Sequence, residues 1–419
     1  MIEENKLSSR GLFMWFIAAV FFSYEFLLRT VVGTFEHPIT YDLKLNLVQF
    51  SIISSVAYQL IYALMQIPAG IIVDRYGLKK SLTLAVSVCA AAMLGFSFSE
   101  HFGTALLYRL MIGFGSSFGF ICILVIVYEW LPLRRRAFFV GLSQFIGTVG
   151  PMISGGPLTY WSEVGTFNWR HLFIYLSIIG VAIATLAFIF VKNKEQSLDE
   201  VIVVEKPTDN VSQIKSLWYA QILWIVFYSA CVYFAIEYLS ENATKQYLSF
   251  HNISAVNSSF MITLSWLGYA CGCPSIGFMS DYFYTRKRMM QICAVLVFVS
   301  LLLIVLFPFN IWLLRIGFFF LGVGVAGQTI GFAAVAENTE KKYIGVALAL
   351  NNAAMMFVMA INAPIVSYTI DALGGGPDDY QKALLILPAM GFLAILISTF
   401  KIKETYCKSN REPTIIHRV

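Results

Sequence analysis

The chain has 419 residues, of which 58% are hydrophobic and only 13% charged, with a formal net charge of +5. A soluble globular domain carries about 25% charged residues, so the composition excludes a soluble fold and points to an integral membrane protein. The basic residues are scattered over short loops rather than gathered on one face, which argues against a nucleic-acid partner.

Twelve apolar runs follow one another, each long enough to cross a bilayer of about 30 Å. They cover roughly 11–33, 47–72, 80–98, 103–130, 137–160, 171–191, 217–240, 255–279, 288–307, 311–335, 343–370 and 382–401. The first run lacks a small-residue cleavage site and reads as helix 1, not as a removable signal. It carries Glu25 and Arg29, four apart and therefore on one helical face. At ~1.5 Å per residue, Glu25 sits about 21 Å along a helix starting at Gly11. Helix 2 runs into the turn Gly70–Lys80, GIIVDRYGLKK. Helix 4 opens near Arg109 and ends at Glu129, before the basic cluster Arg134–Arg136. Helix 5 holds Gly147, Gly150, Pro151, Gly155 and Gly156, and Asn168-Trp169-Arg170 precedes helix 6.

Residues 192–216 form the longest polar stretch, with mixed charges and Pro207. Beyond it the first half returns in worn form. Gly277 and Asp281, followed by Arg286-Lys287-Arg288, repeat the basic turn; helix 10 opens near Arg315 and ends at Glu337 before Lys341 and Lys342. The expected organisation is a six-helix half over 1–191, a cytoplasmic linker over 192–216, a second six-helix half over 217–401 and a cytoplasmic tail over 402–419. The fold class is an all-α polytopic membrane protein, twelve transmembrane helices in two six-helix pseudo-repeats. Internal duplication of apolar helices is how secondary transporters are built.

With the N-terminus placed in the cytoplasm, only Lys44, Arg170, Lys245 and Lys382 fall outside, while Arg29, Arg109 and Arg315 lie within helices. The remaining Lys and Arg are cytoplasmic, a bias that puts both termini inside a bacterial inner membrane. Cys89, Cys122, Cys231, Cys271, Cys273 and Cys293 lie in helices and Cys407 in the tail, so no disulfide framework is implied. Cys271 and Cys273 read as small buried helix residues rather than metal ligands. No histidine has i,i+4 metal spacing and no Gly-Lys-Ser/Thr phosphate loop occurs, so neither an enzyme nor a cofactor is expected.

Charge inside a membrane helix is costly and usually functional. For Glu25 and Arg29 two readings stand: a substrate and proton site, or a self-satisfied ion pair fixing helix 1. Glu237, near the outer end of helix 7 after Tyr228 and Tyr233, is either a protonatable partner of Arg29, Arg109 or Arg315, or an outer-gate charge. Arg109 and Arg315 start their helices near the outer surface and are expected to snorkel. The uncharged polar residues Gln59, Gln66, Gln144, Gln328, Asn351, Asn352 and Asn362 bind either a solute or another helix. Gln328, Asn351 and Asn352 are the choices for substrate contact. The glycines of helices 4 and 10 serve close packing or a cavity.

The string Gly70-x-x-x-Asp74-Arg75-x-Gly77-x-Lys79-Lys80 resembles the loop 2–3 motif of the major facilitator superfamily. Arg109-x-x-x-Gly113-x-Gly115 resembles a second motif of that family. FFSYEFLLRTV in helix 1, MQIPAGIIVDRYG in helix 2 and IEYLSE in helix 7 are more narrowly similar to the phagosomal nutrient transporters of intracellular bacteria, which import amino acids and nucleosides. The resemblance implies that helices 1, 4, 7 and 10 line the pathway of a monomeric, alternating-access transporter. It implies proton-coupled uptake of a small polar nutrient such as an amino acid, with Arg29 holding a carboxylate and Glu25 and Glu237 serving as proton or amine sites. Gly70, Asp74, Arg75, Gly77, Lys79 and Glu129 would form a latch favouring the outward-open state. The helix 5 glycines and Pro151 approach a drug-antiporter motif with one residue too many after the proline. They keep an alternative open, a proton-coupled exporter of drugs or a siderophore-like metabolite. A receptor of this fold that moves nothing is a further alternative.

Overall fold

The computed structural model describes residues 8–132, 136–163, 168–193, 220–340 and 344–408. Arg134, Arg135, Lys341, Lys342 and most of the expected linker 192–216 lie outside them. Every regular element among the described residues is helical. The first spans are α1 (Ser9–Thr34), followed by the short α2 (Glu36–Leu43), then α3 (Leu47–Ser51), which passes through a π-helical turn, Ile52–Val56, into α4 (Ala57–Tyr76). Next come α5 (Leu78–Ser97), α6 (Phe102–Ser116) with α7 (Gly119–Trp130), α8 (Arg136–Ser154) with α9 (Gly156–Glu163), and α10 (Trp169–Phe190). The second series comprises α11 (Ala220–Glu241), the short α12 (Thr244–Ser249), α13 (Ala255–Tyr282) and α14 (Lys287–Leu306). It ends with α15 (Ile311–Val325) and α16 (Gly327–Glu337), α17 (Ile344–Leu373), and α18 (Pro377–Leu384) with α19 (Ile386–Phe400).

Ten of these segments are long and apolar enough to cross a membrane. The two that remain, α8 with α9 and α13, are helical too and occupy the expected fifth and eighth places. Side-chain caps start several helices where the sequence changes from polar to apolar. Asn168 accepts from the Arg170 N–H, and Asn310 from those of Trp312 and Leu313, satisfying donors that a helix start leaves free.

The first six spans meet the last six chiefly through α4 against α17 and α8 against α13, with α1 against α11. Each of α4, α8, α13 and α17 carries one internal proline: Pro68, Pro151, Pro274 and Pro364. A proline removes one ladder hydrogen bond and bends the helix, and neighbouring helices make this tolerable in a membrane. The bends therefore sit in the four helices that carry most of the contact between the two series.

The two ends of this seam differ. At the end away from the basic turns, Gly33 lies so close to α11 that a Cβ there would stand 2.5 Å from the Glu241 Cα. Beside it, Gly155 packs on the backbone of Ser259, and the Lys245 ammonium donates to the Thr34 carbonyl. At the basic end of the same four proline-bearing helices, a Cβ on Gly70, Gly141, Gly277 or Gly345 would meet nothing within 4 Å among the described residues. The seam is closely packed at the face opposite the basic turns.

The Gly-rich helices resolve toward packing. Gly113 faces the Tyr58 backbone, Gly115 the Ala85 carbonyl, and Gly324 the Cys293 carbonyl. At the basic face Gly77 has φ +84°, a conformation that favours glycine, and the Asn193 side chain fills the space a Cβ would need. Asn193 also accepts from the Lys79 N–H, tying the turn to the end of α10.

Candidate functional site

Charged side chains buried at the seam define the site. Glu25, Glu237, Glu241 and Arg109 are 0% exposed and Arg29 is 2% exposed. Arg29 Nη1 donates to Glu237 Oε1 at 3.0 Å, joining α1 to α11. Its Nη2 lies 3.7 Å from Glu25 Oε2, beyond hydrogen-bond reach. Arg29 thus pairs with Glu25 within helix 1 and, more closely, with Glu237 on the other series. Tyr58 donates to Glu25 at 2.5 Å and Tyr233 to Glu237 at 2.5 Å. The guanidinium also stands over the rings of Phe26, Tyr62 and Tyr58, at 4.3, 5.1 and 5.4 Å. This aromatic box desolvates the cation while stabilising it through the ring faces.

Arg109 does not snorkel. It donates to four carbonyls, Ile53 and Ser54 in the π-helical turn and Leu28 and Arg29 in α1. It acts as a clamp on backbone acceptors, so the close pairing with Glu237 is left to Arg29. Arg315, its sequence counterpart, is half-buried beside the Trp312 ring at 4.9 Å, so matching places in the two series do different work.

A small cavity of about 30 Å³ adjoins this cluster. Its polar wall is Arg29, Gln144, Gln328, Asn352, Tyr62, Tyr233 and Tyr269; its apolar wall is Phe22, Phe26, Phe120, Phe332, Met355 and Met356. Two residues that line it each have a buried polar atom with no partner among the described residues, Arg29 Nε and Gln328 Oε1. The Gln328 amide nitrogen is held by the Tyr269 hydroxyl at 2.5 Å, and Asn352 donates to Gln66 at 2.9 Å across the seam. A larger groove of about 440 Å³ between α5 and α10 is lined by residues such as Ser87, Ala91 and Phe188 and has no charged group.

Of the expected substrate contacts, Arg29, Gln328 and Asn352 share the cavity. Asn351 does not: it is 0% exposed, off the cavity wall, and both its amide atoms lack partners. Consecutive residues on a helix point about 100° apart, so only one of the pair can face the solute. Glu25 and Glu237 are likewise behind the wall rather than on it.

The expected latch residues lie at the basic face, and part of their surroundings falls outside the described residues. Gly70 faces open space, Arg75 is exposed over the Tyr76 ring, and Lys79 lies over Phe188. Glu129 is exposed, and the Asp74 side chain lies outside the described residues. In the worn copy the charged groups meet. Arg286 pairs with Asp281 at 2.6 Å and with Glu337 at 2.8 Å. Glu404, from the tail, accepts from Thr285 Oγ1 and the N–H groups of Arg286 and Lys287 at the start of α14. Burial opposes ionisation of Glu404, but these hydrogen bonds outweigh it and hold its carboxyl below the usual range.

Sequence reasoning missed Tyr58, Tyr62, Ser54, Ser55 and Asn242, and gave Glu241 no role. The spacing of Glu237 and Glu241, one helical turn apart on one face, was the signal available for the last. The others are ordinary residues until the seam brings them together.

The chain matches the Major Facilitator Superfamily over residues 14–249 and 242–414. It belongs to that superfamily. As a major facilitator it is 27% identical over 291 residues to a hexuronate transporter of Bacillus subtilis, covering 68% of this chain and 67% of that protein. The probable galactarate/D-glucarate transporter GarP of Escherichia coli is 21% identical with 90% of both chains aligned, and the sialic acid transporter NanX of Escherichia coli 22% with 94% of both. Among solved structures, a bacterial homologue of the human lysosomal transporter Spinster, described as inward-facing and unoccupied, superposes with a TM-score of 0.77 at 15% identity over 97% of this chain and 99% of that one. These relatives are named for acidic sugars. Amino acids and nucleosides, which the narrower resemblance implied, are not among their named solutes.

Proposed function

We propose that this major facilitator is a proton-coupled importer of a small organic carboxylate, with an acidic sugar the preferred solute. The observation that carries the reading is Arg29 Nε, a buried donor with no partner among the described residues, on a cationic side chain that lines the cavity. A carboxylate is the group that completes it. Gln328 Oε1 is an acceptor waiting for a hydroxyl or amine, and Asn352 and Gln144 extend the polar wall. An amino acid fits less well. Its ammonium needs a carboxylate partner, and Glu25 and Glu237 are off the wall and held by tyrosines and Arg29. Glu25 and Glu237 therefore act on the solute through Arg29, setting how strongly it holds a carboxylate.

In this reading the halves are 1–191 and 217–401, joined by a cytoplasmic linker, and the basic face is cytoplasmic in a bacterial inner membrane. The protein works as a monomer, and the structure corresponds to the inward-open state. The residues around Asp74 and Arg75 close as a latch in the opposite state, which fits the open space around Gly70. The glycines that suggested a drug antiporter have a packing explanation: Gly147 lies against the Phe22 ring and Gly150 against the Ser23 carbonyl. Purified protein in liposomes with a trapped pH dye tests the reading. Glucuronate, glucarate, amino acids, nucleosides and cationic drugs are added outside one at a time. Internal acidification with an acid, lost in Arg29→Gln, supports it; flux of cationic drugs alone refutes it.

A further inference from the structure

Glu241 is the last residue of α11 and is 0% exposed. Among the described residues its carboxyl meets only neutral hydrogen-bond donors, the Ser55 hydroxyl at 2.8 Å and the Gln59 amide at 3.2 Å, both from the other series. No Lys, Arg or His nitrogen lies within 4 Å of it among the described residues. The charged groups facing it are accounted for. Arg109, from α6, spends its hydrogen bonds on four carbonyls. Arg29, from α1, pairs with Glu237 at 3.0 Å, and Glu237 is itself one turn below on the same helix. Glu25 adds a third buried acid to the cluster, hydrogen-bonded to Tyr58. Three buried carboxyls therefore share two guanidiniums, and Glu241 is the one with no close ion pair among the described residues, the charge of Arg109 reaching it only from beyond 4 Å.

An ionised carboxylate without a cation is far costlier to bury than a neutral one. We infer that Glu241 is a proton-binding site at the closed face, holding a proton while that face is shut and exchanging it when the face opens. The seam explains the coupling. Besides Ser55 and Gln59, Ser54 donates to Asn242 at 2.7 Å, and Asn242 donates to Ser55 at 2.8 Å. When the seam parts, these neutral partners leave with the first series and water reaches the carboxyl. Closure then requires a proton on Glu241. A carboxylate on Arg29 and a proton on Glu241 cross together without net charge.

This inference rests on the reading of the chain as a proton-coupled transporter, and the test separates the two. Infrared spectra of the reconstituted protein, which need no solute, should show a buried protonated carboxyl that vanishes in Glu241→Gln and persists in Glu237→Gln. A protonated-carboxyl spectrum unchanged in Glu241→Gln overturns the inference. Transport supplies the second readout. With one proton per anion, an imposed gradient of about one pH unit drives about ten-fold accumulation of glucuronate, a factor of ten being ~1.4 kcal/mol. Glu241→Gln should abolish accumulation and make the labelling of a cysteine at the closed face independent of pH; Glu241→Asp should keep both responses. Ten-fold accumulation by Glu241→Gln overturns the inference. Solute flux in the wild type with no proton movement would sink the coupling reading, and the infrared band would still decide whether Glu241 holds a proton.

Discussion

Neutralising Arg29 should expose how the two series are held together. Arg29→Gln leaves Glu237 0% exposed with only Tyr233 and Gln59 as described partners. Removing one member of a buried ion pair costs about 3–5 kcal/mol, because a charge stays behind without compensation. That is a large part of a total stability of about 5–15 kcal/mol. Changing Glu237 to Gln as well removes the stranded charge and places two amides where the ions met at 3.0 Å. The double variant should therefore recover most of the loss, with a coupling of at least about 2 kcal/mol. Thermal unfolding in detergent, followed by tryptophan fluorescence across the four proteins of the cycle, measures it. Carboxylate transport should be absent in both proteins lacking Arg29, since stability returns without the cation. Additive destabilisation, or wild-type transport by the double variant, would refute the reasoning.

Other outcomes follow from the same geometry. Gly33→Val puts side-chain atoms into the Glu241 backbone, so the closed face should not shut and maleimide labelling of Ser54→Cys should rise. Asn351→Leu removes a buried amide without partners; unfolding should show stability unchanged or raised by up to about 1–3 kcal/mol, with KM for the solute unaltered. Gln328→Leu removes the unfilled acceptor on the cavity wall and should raise Kd about ten-fold, or ~1.4 kcal/mol, in equilibrium binding. Glu404→Gln should weaken the start of α14 by about 0.5–2 kcal/mol, as loss of a helix cap does. Glu404 is held below its unfolded value, so its contribution is complete above the ordinary glutamate range near ~4.3 and fades as pH falls through the lowered value. Pre-exchange hydrogen–deuterium labelling of residues 285–290 at neutral and acid pH checks the sign.

The membrane class, the twelve spans and the superfamily were legible in the sequence, because each depends on local composition or on a short contiguous string. A run of apolar residues must span hydrocarbon as a helix whatever it packs against, since no water is there to satisfy its backbone. The motif Gly70–Lys80 is likewise contiguous. Arg29 also announced itself, because a charge in such a run has few harmless explanations. What the run could not say is which partner the charge meets. Glu25 was four residues away and Glu237 more than two hundred, yet the closer hydrogen bond is to Glu237. Arg109 and Arg315 held matching places, but only Arg109 found four carbonyls to bind. Asn351 and Asn352 were indistinguishable until the turn of α17 set one toward the cavity and the other away from it. Glu241 carried a charge that the sequence recorded, but its lack of a close ion pair among the described residues is a property of the seam. Hydrophobicity is summed along the chain and can be read from it; the pairing of buried charges depends on which helices meet, and only the tertiary structure decides that.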